Sequence, residues 1–144
     1  MTHRRLLVVG LAASVFTVLA MPSAPARAPL YVCFGRPATV VGTSGNDTLD
    51  GTSNQDVMVG LGGSDHMYAM GDTDYVCGNP GNDTITAGIG ADRIHGDDGN
   101  DVMHEADNSG QDQVYCGPGD DTAYVDFVDV MFQCEHEFCT GSGC

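Results

Sequence analysis

Aspartate returns at a fixed interval through the middle of this 144-residue chain. Counted in blocks of nine residues from Gly42, every block has Asp at its sixth position, and the count is interrupted once, by two extra residues at Glu105 and Ala106. The nine recurring residues are Asp47, Asp56, Asp65, Asp74, Asp83, Asp92, Asp101, Asp112 and Asp121. Carboxylates repeated on one period suit the binding of cations, whereas a glycoside hydrolase needs a single pair of acids, such as Asp97 and Asp98 would offer. The spacing therefore predicts a row of metal-ligating side chains.

The element that positions these side chains must repeat every nine residues, and an α-helix cannot do so. Nine residues make two and a half helical turns, so successive aspartates would lie on opposite sides of a helix, and each interior Gly would cost about 1 kcal/mol. The eighth position of every block is apolar, from Leu49 to Ala123, which is typical of a side chain that points inward from a short strand. The first six residues are rich in Gly, which reaches turn dihedrals closed to other residues. We therefore predict an all-β fold in which two blocks form one flattened coil of 18 residues and successive coils stack through parallel strands.

Stacked coils of this size would sort the aspartates into two columns. One column would contain Asp47, Asp65, Asp83, Asp101 and Asp121, and the other Asp56, Asp74, Asp92 and Asp112. Carboxylates only a few ångströms apart repel each other unless a cation lies between them. The ligand shell would be completed by turn carbonyls near Gly45, Gly63, Gly81, Gly90 and Gly99. Such an all-oxygen shell suits Ca²⁺, which accepts six to eight oxygen ligands in irregular geometry, better than Mg²⁺, which requires a regular octahedron.

Several blocks resemble a known calcium-binding repeat. GLGGSDHMY, GNPGNDTIT and GDDGNDVMH are similar to the pattern G-G-x-G-x-D-x-U-x of the repeat-in-toxin (RTX), or hemolysin-type, repeats, and the resemblance extends over residues 42–124. It implies a right-handed parallel β-roll with Ca²⁺ held between turns one coil apart, which folds when the ion binds. Asn54 and Asp72 depart from the pattern by replacing the fourth-position Gly, but both residue types tolerate left-handed dihedrals; the β-branched Ile89, at a third position, fits its turn less well.

The two columns limit the number of ions. Neighbouring aspartates bound four sites in the first column and three in the second, so we expect several calcium ions and at most about seven. The sites that keep the fourth-position Gly in every turn are those bounded by Asp47, Asp65, Asp83 and Asp101. These are the sites we expect to bind best.

The sequence outside the repeats predicts three further segments. In residues 1–28, Arg4 and Arg5 precede an apolar run and a small-residue cleavage site, which together indicate a secretory signal peptide. Residues 29–41 and 125–144 have apolar strand residues without the repeat and are predicted to form an N-terminal cap and a C-terminal cap with a disulfide-bonded tail. We therefore expect a secreted, extracellular protein without a membrane span after cleavage.

The six cysteines fit an oxidising compartment, where disulfides are their usual state. Cys116 and Cys134 are 18 residues apart, which is one coil, so a disulfide between them is predicted. A second disulfide, between Cys139 and Cys144, would close a short terminal loop. Elimination then leaves Cys33 with Cys77, although a regular roll would not place these two cysteines side by side.

Charge excludes several kinds of partner. The chain has 5 Lys and Arg against 20 Asp and Glu, a formal net charge of −15 at pH 7, and cleavage of the leader after Ala26 would leave three arginines and a net charge of −17. Nucleic acids and anionic membrane surfaces are therefore poor partners.

The function predicted from these features is calcium binding by a secreted β-roll, in which Ca²⁺ drives folding and stability, and not catalysis. An alternative is an adhesive or binding module that uses the roll as a calcium-dependent scaffold and presents outward residues such as Tyr68, His95 and His104 to a glycan, cell wall or partner protein. A third alternative is a hydrolase built on the roll, for which little chain remains outside the repeats.

Overall fold

The computed structural model of the protein describes residues 30–105, 109–126 and 128–139. Within these ranges the elements are short strands, and none is a helix with the length and apolarity needed to cross a membrane. The predicted signal peptide, residues 1–28, and the predicted partner of Cys139, Cys144, lie outside the described residues.

The strands follow the nine-residue period. They are β1 (Val32–Cys33), β2 (Arg36–Pro37), β3 (Val40–Val41), β4 (Thr48–Thr52), β5 (Val57–Val59), β6 (His66–Met70), β7 (Tyr75–Cys77), β8 (Thr84–Thr86), β9 (Arg93–His95), β10 (Val102–His104), β11 (Gln113–Tyr115), β12 (Thr122–Val125), β13 (Val130–Phe132) and β14 (His136–Cys139). Alternate strands belong to opposite sheets, so that one six-stranded sheet has the order β14-β12-β10-β8-β6-β4 and the other β13-β11-β9-β7-β5-β3. Every pairing within these two sheets is parallel. This is the architecture of a β-roll, as predicted.

The strand register confirms the 18-residue coil. Met67 pairs with Ile85 across β6 and β8, and Val76 pairs with Ile94 across β7 and β9. The coil that contains the insertion is 20 residues long, because Val102 pairs with Thr122. The two extra residues therefore leave the register of the strands on either side unchanged.

The core consists of the inward-facing side chains between the two sheets. The eighth-position residues Met58, Met67, Val76, Ile85, Ile94, Met103, Val114 and Ala123 are all 0 % exposed, and the first-position residues Ala69, Ala87, Cys116 and Val125 are buried with them. Burying one of the larger side chains contributes roughly 1.5–3 kcal/mol, but the first-position residues are small. Hydrophobic burial is therefore limited for a chain that carries so many like charges.

The segment predicted as an N-terminal cap contains an antiparallel hairpin, β1 and β2, that lies over the outer face of one sheet. It covers Val57 and Val59, whose side chains point outward from the roll and are nevertheless buried. A disulfide joins Cys33 of the hairpin to Cys77 of β7, with 5.8 Å between their α-carbons. Because the hairpin folds across the sheet instead of continuing the coil, it brings together two positions that a regular roll keeps apart.

A second disulfide closes the C-terminal end of the roll. Cys116 and Cys134 are joined with 5.1 Å between their α-carbons, and the strands that precede them, β11 and β13, pair in parallel. Two disulfides among the described residues indicate a non-reducing environment.

Candidate metal centre

The recurring aspartates form two hydrogen-bonded ladders. Asp65 Oδ1 accepts the backbone N–H of Asp47 at 2.8 Å, and Asp83 Oδ1 accepts that of Asp65 at the same distance. The same bond, at 2.7–2.8 Å, links Asp74 to Asp56, Asp92 to Asp74, Asp101 to Asp83, Asp112 to Asp92 and Asp121 to Asp101. The structure thus brings all nine predicted aspartates into the two predicted columns, with one carboxylate per coil in each.

The second oxygen of these carboxylates has a different environment. Oδ2 is buried without a hydrogen-bond donor in Asp65, Asp74, Asp83, Asp101 and Asp121. Each of these side chains is at most 1 % exposed. An ionised carboxylate removed from water needs donors or a counter-charge to be stable, so the ladder satisfies only half of each group.

The first aspartate of each column is satisfied by its own turn. Asp47 Oδ2 accepts the backbone N–H and the hydroxyl of Thr43 at 2.6 and 2.8 Å, and Asp56 Oδ2 accepts those of Thr52 at 2.6 and 2.9 Å. The second position of the next five turns has positive φ, at Leu61, Met70, Asn79, Gly88 and Asp97. Thr is β-branched and disfavours that conformation. The turns therefore differ along the roll, and the open carboxylates begin with the second coil.

At several turn glycines, a carboxylate oxygen and a backbone carbonyl oxygen of another coil lie close to the same Cβ position. Each fourth-position glycine predicted to supply a carbonyl lies against the fourth-position glycine of the following coil. A Cβ added at Gly81, Gly99 or Gly119 would therefore overlap the backbone of the preceding coil. The predicted carbonyls are those of Gly45, Gly63, Gly81, Gly90 and Gly99. A Cβ added at Gly60 would meet both Asp65 Oδ2 and the Gly78 carbonyl at 2.5 and 2.6 Å. Glycine at these positions lets carboxylate and carbonyl oxygens of adjacent coils approach one another, as an all-oxygen shell requires.

Burial raises the pKa of the column carboxyls. The pKa rises to about 7 in Asp74 and Asp101 and to about 6 in Asp83, chiefly because burial disfavours the charged form, with neighbouring carboxylates adding to the effect. The backbone N–H that each Oδ1 accepts opposes this rise. The pKa values of Asp65 and Asp121 are raised for the same first cause. Near neutral pH the columns therefore favour a bound positive charge, either a proton or a cation.

The geometry also limits which ligands such a cation can have. Across the described residues, no three His, Cys, Asp or Glu side chains converge as a ligand set. An ion in a column would take one carboxylate from each of two adjacent coils and the rest of its ligands from backbone carbonyls. Hard cations accept such a set, and Ca²⁺ tolerates its irregularity.

Two acidic residues extend the columns beyond the period. Asp129 Oδ1 accepts the backbone N–H of Asp112 at 3.1 Å, and Glu135 Oε2 accepts that of Asp121 at 3.4 Å. Sequence analysis missed both, because they follow at intervals of 17 and 14 residues. A signal was available for one of them: Asp129 begins Asp-Val-Met, as do Asp56 and Asp101.

Comparison with known proteins gives one match. A family model described as the RTX calcium-binding nonapeptide repeat matches residues 41–76 and 78–104, in four copies. No curated protein and no solved structure shows significant similarity to the chain. The matched residues include seven of the nine column aspartates, while the ladders continue past the end of the match.

Proposed function

We propose that the chain, whose residues 41–104 belong to the RTX calcium-binding repeat family, is a secreted calcium-binding β-roll in which Ca²⁺ between stacked turns drives folding and stability. The observation that carries the proposal is the ladder of buried carboxylates whose Oδ2 atoms have no donor. In the first column such an oxygen recurs in each coil from Asp65 to Asp121, so the requirement for a counter-charge recurs with it.

The proposed ligands are the column side chains together with turn carbonyls. The side-chain ligands are Asp47, Asp56, Asp65, Asp74, Asp83, Asp92, Asp101, Asp112 and Asp121. The carbonyls are those of Gly45, Gly63, Gly81, Gly90 and Gly99. Bound Ca²⁺ supplies the positive charge that allows neighbouring carboxylates to be ionised together. The sites between Asp65, Asp83 and Asp101 have open Oδ2 atoms in every turn, whereas Thr43 already satisfies Asp47.

Calcium would contribute to folding because the unfolded chain cannot form these sites. Ligand that binds only the folded state stabilises it in proportion to the logarithm of its concentration. The core between the sheets is small and the net charge is −15, so hydrophobic burial in the metal-free roll offsets little of the repulsion between column carboxylates. Affinity of about 10⁻⁴–10⁻³ M per ion is typical of extracellular calcium modules and would couple folding to the calcium level outside the cell.

The proposed location is extracellular. It is supported by the two disulfides and by the leader-like composition of residues 1–28. The matched family is a structural calcium-binding repeat and not a catalytic one, so the proposed function is non-enzymatic.

Calcium binding is tested by isothermal titration calorimetry on the oxidised mature chain, with Mg²⁺ titrated in parallel. We expect several Ca²⁺ ions per chain and a much weaker response to Mg²⁺. A chain that binds no Ca²⁺, or that binds Mg²⁺ equally well, would contradict the proposal.

A second candidate function, an adhesive or binding module on the same scaffold, is supported by aromatic rings on the outer face. Tyr124 stacks between His104 and Phe138 with ring centroids 4.8 and 5.3 Å apart, and Phe138 and Tyr68 are 52 % and 40 % exposed. Exposed, ordered rings are typical of recognition surfaces. The test measures retention of the wild-type chain and of Phe138→Ala on insoluble polysaccharide or cell-wall material. Retention of the wild type that is lost in chelator and in Phe138→Ala would support this function. Equal passage of the wild type and Phe138→Ala through the matrix would argue against it.

A further inference from the structure

Glu105 occupies a position that alanine fills in the preceding coils. His104 pairs with Thr86 across β10 and β8, so Glu105 stands level with Ala87, and its backbone N–H continues the strand pairing by donating to the Tyr124 carbonyl at 2.7 Å. Glu105 therefore keeps the repeat register, and the two extra residues of this coil come after it. The nine-residue count from the sequence, which takes Glu105 as one of the extra residues, places the insertion one residue too early. Glu105 is 1 % exposed, and Ala87 is 0 % exposed. A carboxylate thus stands inside the roll where the preceding coil has a methyl group.

This carboxylate is only weakly bonded. Oε1 accepts the backbone N–H of Ala87 at 3.4 Å, a long hydrogen bond, and Oε2 is buried without a partner. Glutamate is almost never fully buried unless it is paired. Oε2 therefore needs a hydrogen-bond donor or a cation, and the described residues provide neither.

The charges closest to Glu105 are negative. Burial is the main cause that raises the pKa of Glu105 well above its usual value, and Asp112, Asp92 and Asp129 raise it further. Asp129 belongs to this neighbourhood because it accepts the N–H of Asp112 and so takes the column position of the next coil. Glu105 stacks on Ala87 and Asp112 stacks on Asp92, which are the first and sixth positions of one turn. In the first coil of this column a Cβ at the first-position Gly51 would lie 3.1 Å from Asp56 Oδ2, so a first-position carboxylate is placed beside the column aspartate of its turn.

We propose that Glu105 is a calcium ligand, which with Asp112 and turn carbonyls binds an ion at the end of the second column, beyond the residues that match the family. The inference rests on the proposed function but concerns a residue outside the repeat pattern. Column sites draw both side-chain ligands from the sixth position, whereas this site takes one of its two carboxylates from the first position. Since calcium affinity depends on the charge of the ligand set, removal of the Glu105 charge weakens this site.

The test compares Glu105→Ala and Glu105→Gln with the wild-type chain and with Glu137→Gln. Alanine restores the residue that Ala87 provides one coil earlier, and Gln keeps an acceptor for the Ala87 N–H while removing the charge. Glu137 is an exposed residue of β14, so its substitution controls for the loss of one negative charge. Calcium stoichiometry and affinity are measured by titration calorimetry, and thermal midpoints are measured in chelator and in excess Ca²⁺.

We expect Glu105→Ala to bind one ion fewer and Glu105→Gln to weaken one site by about tenfold or more, while Glu137→Gln matches the wild type. In chelator both Glu105 variants should melt at or above the wild-type temperature, because a buried acid has been removed, whereas their stabilisation by Ca²⁺ should be smaller. Unchanged stoichiometry and affinities in both variants would overturn the proposal and leave Glu105 as a protonated structural residue. If the wild-type chain itself bound no Ca²⁺, the proposed function would fail first. If Glu105→Ala does not fold, the affinities of Glu105→Gln decide.

Discussion

Asp101 accepts the backbone N–H of Asp83 through Oδ1 at 2.8 Å and keeps Oδ2 buried without a donor. The two residues are 18 positions apart, and the same Oδ1 hydrogen bond recurs along both columns. The hydrogen bond fixes the distance between coils, and the unsatisfied oxygen creates the demand for a cation. One side chain therefore both aligns the roll and makes it dependent on a counter-charge.

Replacing a column aspartate should change stability in opposite directions with and without calcium. Asp83→Asn keeps the size of the side chain and an acceptor for the Asp65 N–H but removes a buried charge. In chelator the thermal midpoint should rise by a few degrees. In calcium it should fall, and the half-saturating calcium concentration should increase about tenfold, because Asp83 borders two proposed sites.

Asp50→Asn is the matched control, since Asp50 is exposed and lies outside the columns. Differential scanning calorimetry of both variants checks the prediction. A fall of the Asp83→Asn midpoint in chelator as large as that in calcium would show that the carboxylate is needed for the fold irrespective of the ion.

Metal-free stability should decrease as the pH rises. The pKa values of Asp74, Asp83 and Asp101 in the fold are about 7, 6 and 7, above the value of about 3.9 for an unfolded Asp. A raised pKa means that the folded state binds the proton more tightly, so the stabilising contribution is fully present below about pH 4 and is lost as the pH rises through 6 to 7.

The measurement is the thermal midpoint between pH 4 and pH 8, in chelator and in excess calcium. In chelator the midpoint should fall with pH, and the slope should be smaller in Asp83→Asn. Apparent calcium affinity should increase over pH 6 to 7, because protons and Ca²⁺ compete for the same oxygens. A midpoint in chelator that rises across this range would contradict the assignment of buried, ion-requiring carboxyls.

The turns should tolerate a methyl group only where no coil precedes them. A Cβ at Gly81 would overlap the Gly63 carbonyl of the preceding coil, whereas a Cβ at Gly45 would meet only the Thr43 hydroxyl at 3.8 Å. Both glycines hold the fourth position of a turn. Gly81→Ala should therefore destabilise the calcium-bound roll by about 1–3 kcal/mol, while Gly45→Ala should be close to neutral. Chemical denaturation in calcium compares the two, and equal losses would argue against close packing of successive turns.

Removing a disulfide should raise the calcium concentration needed for folding. Cys116 and Cys134 close a loop of 18 residues and Cys33 and Cys77 one of 44, for which loop-closure entropy predicts losses of about 3 and 4 kcal/mol. Paired Cys→Ser variants test this by denaturation at several calcium concentrations. A loss that excess Ca²⁺ cannot offset would show that the bridges, and not the ion, determine whether the roll folds.

The nine-residue period predicts those features of the fold and of the site that repeat with it. A nine-residue repeat is enough to derive the 18-residue coil, the two columns and the inward eighth position, because strand geometry leaves few alternatives. The residues that escaped prediction act where the repeat ends. Asp129 and Glu135 enter the columns from irregular segments, and Glu105 keeps the strand register when the spacing suggests an insertion.

The N-terminal hairpin, β1 and β2, shows a second limit to prediction from the sequence. Outward residues such as Val57 and Val59 are buried because a hairpin distant in sequence covers them. No local pattern specifies where such a hairpin docks. Its position is fixed by the disulfide from Cys33 to Cys77 and by Arg36, whose guanidinium lies 4.2 Å from the centre of the Tyr75 ring.

The most direct test of the central claim is a calcium titration of the oxidised mature chain, followed by far-ultraviolet circular dichroism and thermal melting, with Mg²⁺ as the control. We predict a cooperative gain of β-structure and a large rise of the thermal midpoint, both of which require several Ca²⁺ ions and do not occur in Mg²⁺. Identical spectra and melting temperatures in chelator and in calcium would contradict the account, because they would mean that the disulfides and caps hold the fold and that the carboxylate columns need no ion.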